Sequence, residues 1–267
     1  MEGFFLQTNV VSNLDENFCR LIVRCMHDAW GDRTKEIVSK NQLKTQNSVP
    51  FLRWDTLCTS LCDEFNSPAC MTYLSNRGAW KLPLLLDTES GVLITFMRES
   101  RFKKLRKEYF GRKKMHYIDL LSHYLNNDLQ ADTQQLELPL FNNFQKKFED
   151  ENKIPEFVRK FLYQLLEDDR QLKRHVLVLF DNSGYDVTSV RAVVIDKAMN
   201  VVYEENWNKF IPTDMSVIAD EIVDKNDVNN DPRHGLKFTA KSNKRKNRKY
   251  NIINSKTDNA PETSSKS

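Results

Sequence analysis

The amino-acid sequence predicts an α+β fold with a helical N-terminal part, an antiparallel β-hairpin and a three-stranded β-meander packed with helices. Apolar residues recur at helical spacing along 14–29 and again along 54–65. The runs LPLLLD and VLITFM flank TESG, a pattern that is typical of a β-hairpin. Three later runs have short connectors and predict an antiparallel meander, so the sheet should have up to five strands. These runs are HVLVLFD, VTSVRAVVID and VVYEENW.

Capping residues indicate where the first helices begin. Ser12 is the predicted N-cap of the first helix, with Asp15 three residues further on. A second helix is expected after Pro50. Ser67 followed by Pro68 resembles an N-cap and a first-turn proline, which predicts a third, short helix over PACMTYL.

The middle of the chain continues with a basic amphipathic helix. Phe102, Leu105 and Tyr109 recur at i, i+3 and i+7 and predict its buried stripe, and Gly111 is the expected stop. Further helices are predicted at MHYIDLLSHYLNN, LFNNFQKKF, PEFVRKFLYQLL and DMSVIADEIV.

The composition predicts one domain followed by a tail. Residues 1–224 are expected to form a single α+β domain, with a helical subdomain at 1–80. Residues 225–267 contain few large apolar side chains and cannot bury enough surface to offset their chain entropy. We therefore predict a disordered basic tail.

Positive charge is concentrated in two segments, although the whole chain carries a net charge of only +3. Residues 98–114 hold nine basic and two acidic side chains, and a second cluster, KRKNRK, lies in the tail. Cations held in a row on a helix suit regularly spaced phosphates, so we predict contacts to nucleic acid, either DNA or RNA. The competing interpretation is a solvated surface that pairs with the acidic residues of 115–230. The predicted contact residues are Arg98, Arg101, Lys103, Lys104, Arg106, Lys107, Arg112, Lys113, Lys114, Lys244, Arg245, Lys246, Arg248 and Lys249.

A second interpretation is a metal-dependent nuclease that acts as a toxin or defence effector. Asp181, Asp186 and Asp196 lie at predicted strand ends, where carboxylates can hold Mg²⁺ for phosphodiester hydrolysis. Turn formation beside glycine is the alternative role of these aspartates. His175 follows Arg170 with a spacing that resembles the R-x4-H motif of helical ribonucleases, but here it opens a predicted strand.

The sequence assigns no metal site and no cofactor, apart from Mg²⁺ under the nuclease interpretation. Cys58 and Cys62 lie within an apolar helical stripe and lack C-x-x-C spacing, so we interpret them as core residues. The tryptophans are interpreted as core or core-edge anchors. The N-terminus lacks a signal-peptide pattern and no apolar run approaches the length of a membrane span. We therefore expect a cytoplasmic protein that does not contact the membrane.

Two stretches resemble an uncharacterised protein family of low-GC Gram-positive bacteria that is often associated with prophages and mobile elements. The resemblance covers roughly residues 10–215 and rests on general pattern. It implies no catalytic residues, only a bacterial setting near mobile DNA. The two stretches are RGAWKLPLLLDTESGVLITFMRESRF and VLVLFDNSGYDVTSVRAVVIDKAMNVVYEENWNKFI.

These observations favour a nucleic-acid-binding regulator or accessory protein linked to a mobile element, or to a phage-defence or toxin–antitoxin locus. A protein partner from the same locus is part of this expectation. A third interpretation is an antitoxin or adaptor that does not contact nucleic acid. Its acidic middle region and basic segments would dock a protein of opposite charge.

Overall fold

The computed structural model describes residues 11–42, 44–131 and 148–212, which all lie within one compact unit, Met1–Pro212. Its architecture is α+β, as the sequence predicts, with a six-stranded mixed sheet at the centre. The strands are β1 (Cys70–Arg77), β2 (Trp80–Asp87), β3 (Val92–Arg98), β4 (Arg174–Ser183), β5 (Asp186–Ile195) and β6 (Val201–Asn206). The helices are α1 (Glu16–Trp30), α2 (Asp32–Lys40), α3 (Val49–Glu64), α4 (Glu99–Lys107), α5 (Tyr117–Leu125), α6 (Ile154–Phe161) and α7 (Tyr163–Glu167).

The six strands lie side by side in chain order. β1, β2 and β3 are mutually antiparallel, as are β4, β5 and β6, but β3 and β4 run parallel. A parallel pair needs a crossover connection, which α4 to α7 supply. The carboxyl ends of β3 and β4 therefore meet at one edge of the sheet. The end of β1 and the starts of β2 and β5 lie at the same edge.

The prediction of a short helix over PACMTYL is wrong, because this segment belongs to β1 from Cys70 onward. β1 pairs with β2 along its whole length, from Cys70↔Asp87 to Arg77↔Trp80. The Ser67 hydroxyl accepts a hydrogen bond from the Cys70 amide at 3.3 Å, so it closes a turn and caps no helix. Non-local pairing with β2 outweighs the local capping signal. The sheet therefore has six strands and one parallel pair, where the sequence predicted up to five antiparallel strands.

Alternating side chains of the sheet build two separate cores. On β2, Leu85 packs into the cluster formed with α1 and α3, whereas Leu84 and Leu86 face the cluster formed with α4 to α7. β4 shows the same division, with Val178 on the first face. The sheet is thus covered by helices on both faces.

Several helix ends differ from the sequence prediction. Asp15, not Ser12, is the N-cap of α1, and its carboxylate accepts from the Phe18 amide at 3.0 Å. α4 ends at Lys107, before the predicted stop at Gly111. The predicted helix DMSVIADEIV, nearly all of LFNNFQKKF and the tail at 225–267 lie outside the described residues. No helix among the described residues is long and apolar enough to cross a membrane.

Candidate nucleic-acid interface

Four arginines from four elements lie at the end of the sheet where β3 and β4 end, and we call them the arginine edge. Arg98 is the last residue of β3 and Arg101 lies in the first turn of α4. Arg77 ends β1, and Arg53 comes from α3. In sheets with helices on both faces, the region outside the carboxyl ends of parallel strands is a common place for ligands.

The pairing of β2 with β3 stops before it reaches this edge. Their register runs from Asp87↔Val92 only as far as Leu85↔Ile94. Pro83 lies two residues before Leu85 and has no N–H to donate to a neighbouring strand. The residues of β2 and β3 near the arginine edge are therefore not paired with each other in the sheet.

Like charges lie close together within the arginine edge. Burial lowers the pKa of Arg53, and the charge of Arg98 lowers the pKa of Arg53 further. Burial is also the main cause that lowers the pKa of Arg77, with the charge of Arg101 acting in the same direction. Tyr185 beside Arg53 and Tyr117 beside Arg77 act in the opposite direction on these pKa values, so the like charge is a smaller contribution than burial.

Within the described part of the chain, no carboxylate lies within 4.0 Å of these four arginines. Arg53 donates to the Gly184 carbonyl at 2.7 Å and its Cζ lies 4.8 Å from the centre of the Tyr185 ring. The Arg77 guanidinium lies 5.1 Å from the centre of the Tyr117 ring. These contacts orient the side chains but do not neutralise them.

His116, the N-cap of α5, adds a hydrogen-bond donor beside this cluster. Its Nδ1 accepts from the Ile118 amide at 3.4 Å, so the proton of the neutral ring is on Nε2. Nε2 is buried and has no partner among the described residues. Burial, followed by the charges of Arg77, Arg101 and Arg112, lowers the pKa of His116 to about 2. The ring is therefore neutral at physiological pH.

An exposed aromatic pair borders the arginine edge. Phe51 and Trp80 stack with ring centroids 5.0 Å apart and an interplanar angle of 13°. The side chains are 50% and 48% exposed, respectively. Trp80 is the β2 partner of Arg77, and Phe51 shares the first five residues of α3 with Arg53. Trp30 and Trp207 are buried in the core, as expected, whereas Trp80 is about half exposed.

The cations predicted from the sequence fall into three groups. Phe102, Leu105 and Tyr109 are buried, which confirms the predicted stripe and leaves the cations of α4 exposed. Two exposed lysines of α4 lie near carboxylates, Lys103 at 3.5 Å from Glu99 and Lys104 at 3.8 Å from Glu108, and pairs that involve exposed side chains are weak. The exposed group is Arg98, Arg101, Lys103, Lys104, Arg106, Lys107, Lys113 and Lys114. The tail group, which lies outside the described residues, is Lys244, Arg245, Lys246, Arg248 and Lys249.

Arg112 forms the third group alone, because it is bound inside the protein. It donates to both carboxylate oxygens of Asp119, at 2.5 and 2.9 Å, and the Asp119 side chain is fully buried. A guanidinium held in this way is not available to a phosphate. We therefore leave Arg112 out of the interface.

The three candidate catalytic aspartates do not converge. Asp186 begins β5 and Asp196 follows its end, so they lie at opposite ends of that strand. Asp196 accepts from the amides of Ala198 and Asn200, both at 2.8 Å, which fits the alternative of turn formation. Asp181 is half-buried on β4 opposite Ser189. Within the described ranges, no three His, Cys, Asp or Glu side chains are placed to hold a metal ion.

His175 is a core residue of β4. It is fully buried, and its Nε2 lies 2.8 Å from the Thr95 hydroxyl of β3. Burial lowers the pKa of His175 to about 3. Its ring contacts no solvent, so the structure offers no route by which a substrate could reach it.

The sequence predictions missed Arg53, Arg77 and Phe51. Arg53 and Phe51 are isolated within an amphipathic helix, so no local pattern marks them. Arg77 was hidden because the start of its strand was predicted as a helix. Trp80 was visible next to a predicted strand, and its position beside charged residues was the available signal.

The fold and the site define an α+β protein with a mixed sheet and a cationic, aromatic-bordered surface at the carboxyl ends of its parallel strands. The chain belongs to a family of unknown function (DUF5986), whose model matches residues 11–255. Comparisons with curated proteins and with solved structures find no significant match.

Proposed function

We propose that this protein binds nucleic acid, with the arginine edge and the exposed cations of α4 contacting phosphates. The proposal is carried by four arginines at one end of the sheet that have no carboxylate partner among the described residues. Guanidinium groups bind phosphate oxygens in a bidentate geometry, which makes arginine well suited to this contact. A bound phosphate would also relieve the repulsion between neighbouring guanidinium groups.

Other arginines of the chain support this interpretation by contrast. Arg174 pairs with Asp128 at 2.7 Å and Arg191 pairs with Glu99 at 2.9 Å. Arg112 pairs with Asp119, as described above. Within the described residues, these three arginines have carboxylate partners, whereas the four at the arginine edge have none. An external anion such as a phosphate could act as the partner of the arginines at the arginine edge.

We further propose a role as a regulator or accessory factor in the bacterial cytoplasm, linked to a mobile element or a defence locus. This part rests on the sequence resemblance to a prophage-associated family. A protein partner encoded at the same locus fits such a role. A nuclease activity has less support, because two of its candidate aspartates, Asp186 and Asp196, lie at opposite ends of β5.

The direct test is binding of a fluorescently labelled oligonucleotide at low salt, followed by anisotropy. The variant Arg98→Gln/Arg101→Gln should bind at least about tenfold more weakly, because a hydrogen bond to a charged group contributes about 1.5–3 kcal/mol. The matched control is Arg20→Gln/Arg24→Gln, which removes the same charge from α1, outside the arginine edge. Equal loss in both variants, or no binding by the native protein, would contradict the proposal.

A further inference from the structure

The Phe51–Trp80 pair is the clearest exposed aromatic feature of the described residues. Six large hydrophobic side chains are exposed there, and only these two stack on one another. The rings are nearly parallel, so they form a double layer with half of each side chain in contact with water. A further flat ring can stack on the exposed aromatic surface of such a pair.

Charge beside the pair indicates which flat ring fits. Trp80 is the cross-strand partner of Arg77, and Phe51 lies two residues before Arg53 in α3. The strand pairing makes Arg77 the neighbour of Trp80, so a ligand on the aromatic pair would lie beside the arginine edge. A base joined to a phosphate backbone satisfies both the apolar and the cationic part of this surface.

Base pairing decides which form of nucleic acid can use the stack. In a duplex both faces of each base are covered by neighbours, whereas an unpaired base exposes its π-faces. We propose that Phe51 and Trp80 form a stacking platform for an unpaired base, so that the protein selects single-stranded over double-stranded nucleic acid. This inference rests on the proposed function, because the arginine edge supplies the phosphate contacts.

The experiment compares a labelled 20-nucleotide single strand with the duplex of the same sequence. The native protein should bind the single strand more tightly. Trp80→Ala should weaken single-strand binding about 5- to 150-fold, the equivalent of about 1–3 kcal/mol for one stacked base, and leave duplex binding unchanged. Trp80→Phe keeps a flat ring and should retain most of the affinity. Tyr163→Ala is the matched control, because Tyr163 is a similarly exposed aromatic residue on α7.

A second substitution protects the test against misfolding. Phe51→Ala removes the other ring from a different element and should reproduce the single-strand defect. Thermal unfolding of each variant establishes that it is folded. Tryptophan fluorescence gives an independent readout, because a stacked base should quench Trp80, and the quenching should disappear in Trp80→Phe although binding persists.

The outcomes separate the two proposals. Absence of binding to either form would contradict the proposed function itself. Binding that depends on Arg98 and Arg101 but is equal for single strand and duplex would overturn only the stacking platform. Equal weakening of both forms by Trp80→Ala would overturn it as well.

Discussion

Arg112 donates two hydrogen bonds to the fully buried carboxylate of Asp119, and this pair ties the turn after α4 to the first turn of α5. Asp119 also accepts from the His116 amide at 2.7 Å, which completes the capping box of α5. A residue at the end of the basic segment thus has a structural role. Charge density in a sequence does not distinguish this role from ligand contact.

Arg112→Ala should therefore destabilise the fold without weakening nucleic-acid binding. Removing one member of a buried ion pair leaves the other charge uncompensated and costs about 3–5 kcal/mol. Urea unfolding should show this loss, whereas Lys114→Ala, an exposed control, should unfold like the native protein. Anisotropy on folded Arg112→Ala should give native affinity. A stable variant with reduced binding would show that Arg112 contacts the ligand after all.

Salt dependence should report how many phosphates the arginine edge contacts. Each neutralised phosphate releases condensed counterions, so the logarithm of the binding constant falls linearly with the logarithm of the salt concentration. Arg98→Gln should make this slope shallower by about 1 for one lost phosphate contact. Arg20→Gln should leave the slope unchanged, because it lies on α1. A slope that is insensitive to Arg98→Gln would indicate that Arg98 makes no phosphate contact.

The sequence predicts the parts of the fold that depend on local pattern. Apolar runs bounded by turn residues predict β2 to β6, and β2 to β4 are nearly continuous in apolar residues because both of their faces are buried. Apolar spacing of 3.6 residues predicts most helices, because burial on one face imposes that spacing. β1 is missed because it forms a strand through its pairing with β2. The local signal of Ser67 and Pro68 carries no information about that pairing. The parallel pairing of β3 with β4 is also missed, because long intervening helices bring together strands that are distant in the chain.

The candidate site shows the same division. The cations of α4 are contiguous and can be recognised from the sequence, but Arg53 and Arg77 join them only through the tertiary fold. The ion-pair partners of the arginines cannot be predicted from the sequence either, because nothing in it indicates that Arg112 pairs with Asp119. The pattern of charged residues in the sequence therefore predicts that the surface is positively charged, but not which residues form it.

Asp196→Ala should destabilise the protein, whereas Asp186→Ala should have little effect. The Asp196 carboxylate is buried and satisfies two backbone amides after β5, so removing it leaves buried donors unpaired at a cost of about 1–3 kcal/mol. Asp186 is exposed at the start of β5. Thermal unfolding measures the difference. The native protein and both variants are also incubated with nucleic acid and Mg²⁺. Cleavage by the native protein that is lost in both folded variants would support the nuclease interpretation instead.

Stability should fall as the pH drops below about 6.5, because buried neutral histidines cannot take up the proton that the unfolded chain binds. Burial lowers the pKa of His175 to about 3, so below the unfolded pKa the unfolded state binds the extra proton. Each pH unit below about 6.5 then costs about 1.4 kcal/mol for this residue, or about 2 kcal/mol at pH 5. The low pKa of His116 acts in the same direction.

Substitution at the His175–Thr95 contact separates this titration from simple packing loss. His175→Gln removes the titrating ring, so urea unfolding between pH 5 and 7 should show a lower stability overall but a shallower dependence on pH. Thr95→Val removes the hydroxyl partner of Nε2 and keeps the ring, so it should lower stability with the native slope retained. A native slope in His175→Gln would show that other groups cause the acid sensitivity.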